Sequence, residues 1–217
     1  MSRSLNRASF RTISSIFGGS LAALALTVLL LGQTGCSHDG GSGGGPMRVS
    51  LSYTPEHARD SIRSYPGAVP DTRIYVGTFE DQREHKDAIG ENTEHGSLPI
   101  YASGDPAEFF RQTLATQLRR AGLHVVDDQS QADRIITGRL LRFWVVESNN
   151  YEADISAAIR VSDKSGASKW EGSETGHGEN FGRSLSPENY RETLSDAMVR
   201  LTYENLLNDP GFRDALK

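Results

Sequence analysis

Cysteine is nearly absent from this chain. Among 217 residues only Cys36 carries a thiol, so no disulfide can close within one copy and packing alone must hold the fold. Excess positive charge is lacking too: 23 Lys and Arg stand against 28 Asp and Glu, a net charge of −5. Arg3, Arg7 and Arg11 all fall within the first 35 residues, which contain no acid, so the remainder is near −8. Such an acidic domain is poorly suited to nucleic acid, and no nucleic-acid partner is expected. Catalytic signatures are also missing. Residues 47–217 hold no Gly-x-Ser-x-Gly, no His-Glu-x-x-His and no phosphate loop. No metal or cofactor is expected, and the domain is read as non-enzymatic.

What is present begins with a leader. Residues 1–15 carry the three arginines, and residues 16–31 are apolar with small side chains, the positive and apolar parts of a secretory signal. At its border, Thr34-Gly35-Cys36 is similar to a bacterial lipobox, in which a small residue precedes a cysteine that receives diacylglycerol; Gln33 departs from the usual leucine. Cys36 is thus the expected lipidation site, with residues 1–35 removed. An uncleaved anchor helix is the alternative, since no charge occurs between Arg11 and Asp39, but Gly18, Gly19, Gly32 and Gly35 interrupt that run. Simple secretion without lipid is the third. Ser37, rather than aspartate, follows the cysteine and resembles the outer-membrane-directed case. Residues 36–46 then form a glycine-rich tether with a reach on the order of 15–20 Å. The expected address is the outer membrane, facing the periplasm, with the membrane as partner through the N-terminal lipid.

Residues 47–217 read as one α+β domain. Val49, Leu51 and Tyr53 alternate in a short strand, a polar connection follows over 56–70, and 72–79 (TRIYVGTF) is a second strand. Residues 105–122 give the clearest helix: Asp105 as N-cap, Pro106 at the first position, Glu108 completing a capping-box-like pair and Gly122 as the stop. Its apolar face is Ala107, Phe110, Leu114, Leu118 and Ala121, and a strand over 123–126 follows. Strand, helix, strand implies a parallel pair. An antiparallel meander comes next. Residues 134–147 (RIITGRLLRFWVVE) are apolar on both faces, which predicts a central strand covered on both sides. Residues 151–162 alternate strictly, and 169–178 are a polar edge strand. The expected fold is therefore a strand–helix–strand unit, the meander, and a C-terminal helix starting at Ser186-Pro187 and packed on a mixed sheet.

Candidate functional groups concentrate in residues 80–104, a polar stretch without periodicity that reads as one long loop. It holds Asp81, His85, Asp87, Glu91, Glu94 and His95, but the two histidines are ten apart and fit no metal-site spacing. Asp81 and Arg83 are read as an ion pair pinning the loop's entry. Trp144, Tyr151 and Trp170 are read as an aromatic cluster across strands, with a ligand-stacking surface as the alternative. His177 with Glu179, just ahead of the last helix, is too isolated to mark an acid–base pair.

Several segments together resemble the YajG-like bacterial lipoproteins. They are Phe79-x-Asp81-x-Arg83, Ile89-Gly90, the helix end Arg120-Ala121-Gly122-Leu123-His124-Val125-Val126, the run Ala132-Asp133-Arg134-Ile135-Ile136-Thr137-Gly138, the alternating strand from Tyr151 and the terminal helix. The likeness spans about residues 47–217 and shades into the amino-terminal domain of TolB and the CsgG-like envelope lipoproteins. It implies a cell-envelope lipoprotein without assigned enzymatic activity, and it supplies no catalytic residues. Asp81, Arg83, Ile89 and Gly90 are the candidate partner surface. The expected role is a lipid-anchored accessory that binds an envelope protein; the alternative is a component of lipid or small-molecule transport between membranes, which predicts a deep apolar pocket. An envelope hydrolase using Asp81, His85 or His95 is the third reading, and no specific small-molecule ligand is indicated.

Overall fold

The computed structural model describes residues 46–53, 64–94 and 96–217. The leader over 1–35, Cys36, the tether as far as residue 45, residues 54–63 of the connection and His95 lie outside the described residues. In chain order the elements are β1 (Met47–Ser50), β2 (Ile74–Asp81), β3 (Gly90–Asn92), β4 (Leu98–Ser103), α1 (Pro106–Arg120), β5 (Val125–Val126), β6 (Arg134–Glu147), β7 (Tyr151–Asp163), β8 (Ser168–Asn180), α2 (Pro187–Val199) and α3 (Pro210–Ala215). A π-helical turn, Arg200–Asn205, continues α2.

The spine is β6. Along one edge its first half pairs in parallel with β2, from Ile74 beside Arg134 to Asp81 beside Leu140. Its last three residues pair in parallel with β3, Gly90 beside Val145 and Asn92 beside Glu147. β4 runs antiparallel to β3, β1 parallel to β4, and β5 parallel to β2. Along the other edge β7 and β8 follow antiparallel. The result is an α+β domain with one mixed eight-stranded sheet and its helices docked on it.

Local chemistry explains the helix starts. The Asp105 carboxylate accepts the N–H groups of Ala107 (2.8 Å) and Glu108 (3.4 Å), satisfying two donors of the first turn of α1. Glu108 does not close a reciprocal box; its carboxylate is taken by Arg111 and Gln112. Ser186 caps α2 through the Asn189 N–H. The expected apolar face of α1 is buried, as are Tyr190, Leu194, Ala197, Met198 and Leu201 behind α2. Gly176 and Gly178 let α2 approach: a Cβ on Gly176 would lie 1.9 Å from the Ala197 carbonyl oxygen, and one on Gly178 2.2 Å from that of Thr193.

Two expectations are corrected. The stretch 80–104 is no single loop, because β3 and β4 pair within it and bury Ile89 and Ile100 (1% and 0% exposed). Nor, among the described residues, is β6 covered on both sides. Ile136, Leu140, Phe143, Val145 and Glu147 face the helices, while Arg139, Leu141 and Arg142 are exposed on the opposite side. A bulge between Leu140 and Arg142 switches the inward parity, so a one-sided strand reads as an unbroken apolar run.

Candidate functional site

Three features sit around this frame: the short loop leaving β2, the uncovered face of β6–β8, and a buried polar cluster at the end of β6. In the loop, Arg83 is only 5% exposed. Its guanidinium grips Asp81 in a fork, Nε to Oδ1 at 3.0 Å and Nη2 to Oδ2 at 2.9 Å, and donates to the carbonyls of Ala88 (2.9 Å) and Lys86 (3.2 Å). Burial pushes the Asp81 carboxyl up, but the hydrogen bonds and charge of Arg83 hold it below the ordinary carboxylate range. The expected ion pair therefore exists and closes the loop on itself. Ile89 and Gly90 are buried; a Cβ on Gly90 would lie 2.0 Å from the Val145 carbonyl oxygen, so glycine is needed where β3 meets β6. Arg83, Ile89 and Gly90 are thus inside, Asp81 is half-buried, and the side chains that face outward are Gln82, Glu84, His85, Lys86 and Asp87.

That loop leads onto the uncovered sheet face. The His85 ring lies against Trp144, centroids 5.4 Å apart, and a hollow of about 110 Å³ opens there among Arg83, Glu84, Leu141 and Arg142. Farther along, an open groove of about 560 Å³ is lined by Thr137, Arg139, Ala158, Arg160, Glu171 and Ser173. Charges alternate in sign across the strands. Arg160 pairs with Glu171 (3.3 Å), Arg142 with Asp154 (3.5 Å), and His177 stands between Asp154 (Nδ1 to Oδ1, 3.0 Å) and Glu179 (Nε2 to Oε1, 3.2 Å). The bond to Asp154 leads in raising the His177 pKa, burial opposes it, and Glu179 adds to the rise. His177 thus bridges two carboxylates on neighbouring strands. The aromatic trio does not assemble: Trp144 meets His85, Tyr151 meets Tyr190, and Trp170 meets Phe212. Among the described residues no three His, Cys, Asp or Glu side chains gather as metal ligands.

The third feature is invisible in the sequence. Glu147, the last residue of β6, is 1% exposed. It accepts the Tyr190 hydroxyl and the Leu185 N–H (2.9 Å). Burial raises its pKa, but hydrogen bonds from Ser184, Tyr190, Leu185 and Asn92 outweigh this and hold the carboxyl below its ordinary range. Burial and that carboxylate in turn push the Tyr190 hydroxyl far up. Tyr151 donates to the Arg183 carbonyl and accepts the Ser186 N–H. The segment between β8 and α2 is thereby bolted to the sheet. Only an acid closing an apolar strand, with a tyrosine four residues on, marked the place.

Comparison with solved structures fits this geometry. Protein XCC0632 from Xanthomonas campestris, of the family model DUF330, superposes at a TM-score of 0.52 with 10% identity, covering 79% of this chain and 99% of that one. The fold is shared. A PelC dodecamer from Paraburkholderia phytofirmans aligns more loosely, at a TM-score of 0.42 and 15% identity over 66% of this chain and 92% of that chain. No family model matches the chain, and no curated protein matches its sequence. The YajG-like resemblance therefore rests on the quoted sequence motifs. No helix among the described residues is long and apolar enough to cross a membrane.

Proposed function

We propose that this chain is a lipid-anchored lipoprotein of the bacterial cell envelope, held at the outer membrane through Cys36, that binds an envelope protein without catalysing a reaction. The observation that carries the partner-binding reading is the uncovered face of β6, β7 and β8. Three strands of 13 or 14 residues bury one side under helices and present the other as alternating charges around an open groove. Such a surface suits a protein partner with complementary charge, which fixes register and partner choice more than affinity. The outward side chains Glu84 and His85 border the same face. The address rests on the sequence: leader, lipobox-like border and tether.

The transport reading calls for a deep apolar cavity. The two grooves described above are open and edged by charged side chains, which favours the partner-binding reading. The experiment is cross-linking in intact cells followed by detergent extraction of wild type beside Cys36→Ser. A discrete partner recovered with wild type and diminished in Cys36→Ser supports the proposal. Recovery of no reproducible partner with either contradicts it.

A further inference from the structure

We propose that the end of the sheet carrying Leu98, Phe181 and Leu185 rests against the lipid surface to which the chain is anchored. The inference rests on the anchor reading of Cys36 and adds an orientation to it. The strand register supplies the first argument. Met47 pairs with Ile100, Ile100 with Gly90, Gly90 with Val145, Val145 with Ala153 and Ala153 with Gly178, so these residues form one row across the sheet. Two residues further toward the beginning of β1, the row contains Leu98, Asn92, Glu147, Tyr151 and Asn180. The chain therefore enters β1 from the end at which Leu98 starts β4 and Phe181 leaves β8. Ten residues, 37–46, separate the start of β1 from Cys36, a coil reach on the order of 15–20 Å, which is shorter than the domain.

Exposure supplies the second. Among the described residues five large apolar side chains are exposed, and three of them lie here: Phe181 at 73%, Leu98 at 46% and Leu185 at 37%. The segment 183–186 that carries Leu185 is tied to its neighbours. Ser184 Oγ donates to Glu94 across the two loops, Leu185 is held by Glu147, Ser186 by Tyr151, and Asn189 donates to the Arg183 carbonyl at 3.0 Å. Both non-glycine residues with left-handed φ among the described residues, Ser97 (+56°) and Leu185 (+54°), belong to these same loops.

Charge selects the mode. Glu94, Glu152 and Glu179 outnumber Arg183 at this end, so attraction to anionic headgroups is not the driving force, and shallow insertion of apolar side chains is.

The test uses the acylated mature protein in protein-free phosphatidylcholine vesicles. With Cys36 occupied by lipid, Phe181→Cys is the one free thiol and takes a nitroxide label; Lys164→Cys, in the turn at the opposite end, is the reference, and Leu98→Cys repeats the reading with Phe181 intact. The expected result is access of a water-soluble relaxant at 181 and 98 reduced on the order of threefold or more against 164, with oxygen access raised. Equal water access at all three positions overturns the docking. Shielding in isolated envelopes but not in vesicles assigns the contact to protein and also overturns it. Mass spectrometry of the mature chain separates the two readings: without diacylglycerol on Cys36 the anchor itself falls, whereas with it present a water-exposed position 181 defeats only the orientation.

Discussion

Replacing Glu147 with glutamine probes the buried cluster that fastens the β8–α2 segment. In the wild type the carboxylate takes the Tyr190 hydroxyl and the Leu185 N–H, with Ser184 and Asn92 adding to its hydrogen bonding. Glutamine keeps the shape but offers one acceptor oxygen, and its amide group faces donors. One or two buried donors lose their partner, at about 1–3 kcal/mol each, so Glu147→Gln is expected to cost about 2–4 kcal/mol. Against a domain stability of about 5–15 kcal/mol, urea unfolding resolves that easily. The pH dependence sharpens the test. Because the folded pKa of Glu147 lies below its unfolded value, its contribution is complete above the unfolded value of about 4.3 and is lost as pH falls through the folded one. The wild-type advantage should therefore hold from neutrality to mild acid and narrow below. A loss under about 0.5 kcal/mol, or one that stays constant through that acid range, refutes the reasoning.

Three further outcomes follow from the same geometry. Gly178→Ala places a methyl 2.2 Å from the Thr193 carbonyl oxygen and 2.7 Å from the Ala197 nitrogen; about 1–3 kcal/mol of unfolding free energy should be lost, while Ser173→Ala on the open face changes little. Arg83→Met removes the fork on Asp81 and the bonds to Ala88 and Lys86, so hydrogen exchange should quicken in residues 84–88 with β6 and β7 unaffected, at a cost of about 2 kcal/mol in urea. His177 should titrate above about 6.5 by NMR and drop in Asp154→Asn; its stabilisation is present below the unfolded pKa and fades as pH rises through the folded one, and exposure to solvent keeps it small.

The parts of the fold that local chemistry announces were legible in the sequence. Asp105-Pro106 and Ser186-Pro187 mark two helix starts because an N-cap acceptor and a preset φ act within four residues. β6 follows from its long apolar, β-branched run and β7 from the strict alternation after it. β3 and β4 were hidden because each contributes so little buried apolar surface, Ile100 and the adjoining Ile89, within a polar stretch. The bare face of β6 was hidden by the bulge at Leu141. Of the four candidate residues, Asp81 and Arg83 did mark the loop's entry, but sequence alone could not tell a side chain that holds a loop from one that faces out of it. Glu147 was missed for the reason that makes it informative: its partners lie 38 and 43 residues away and meet only in the folded chain.

Placing functional weight on the uncovered sheet face separates two sides of one domain, and photo-cross-linking at single positions reads them apart. A photoreactive residue at Ser156 or Ser173 reports from the open face, and one at Glu204, in the π-helical turn, from the helix layer. In intact cells the two open-face positions should give the same discrete protein adduct, absent from position 204 and weakened in Cys36→Ser. Adducts from position 204 alone, or none from either open-face position, would contradict the account.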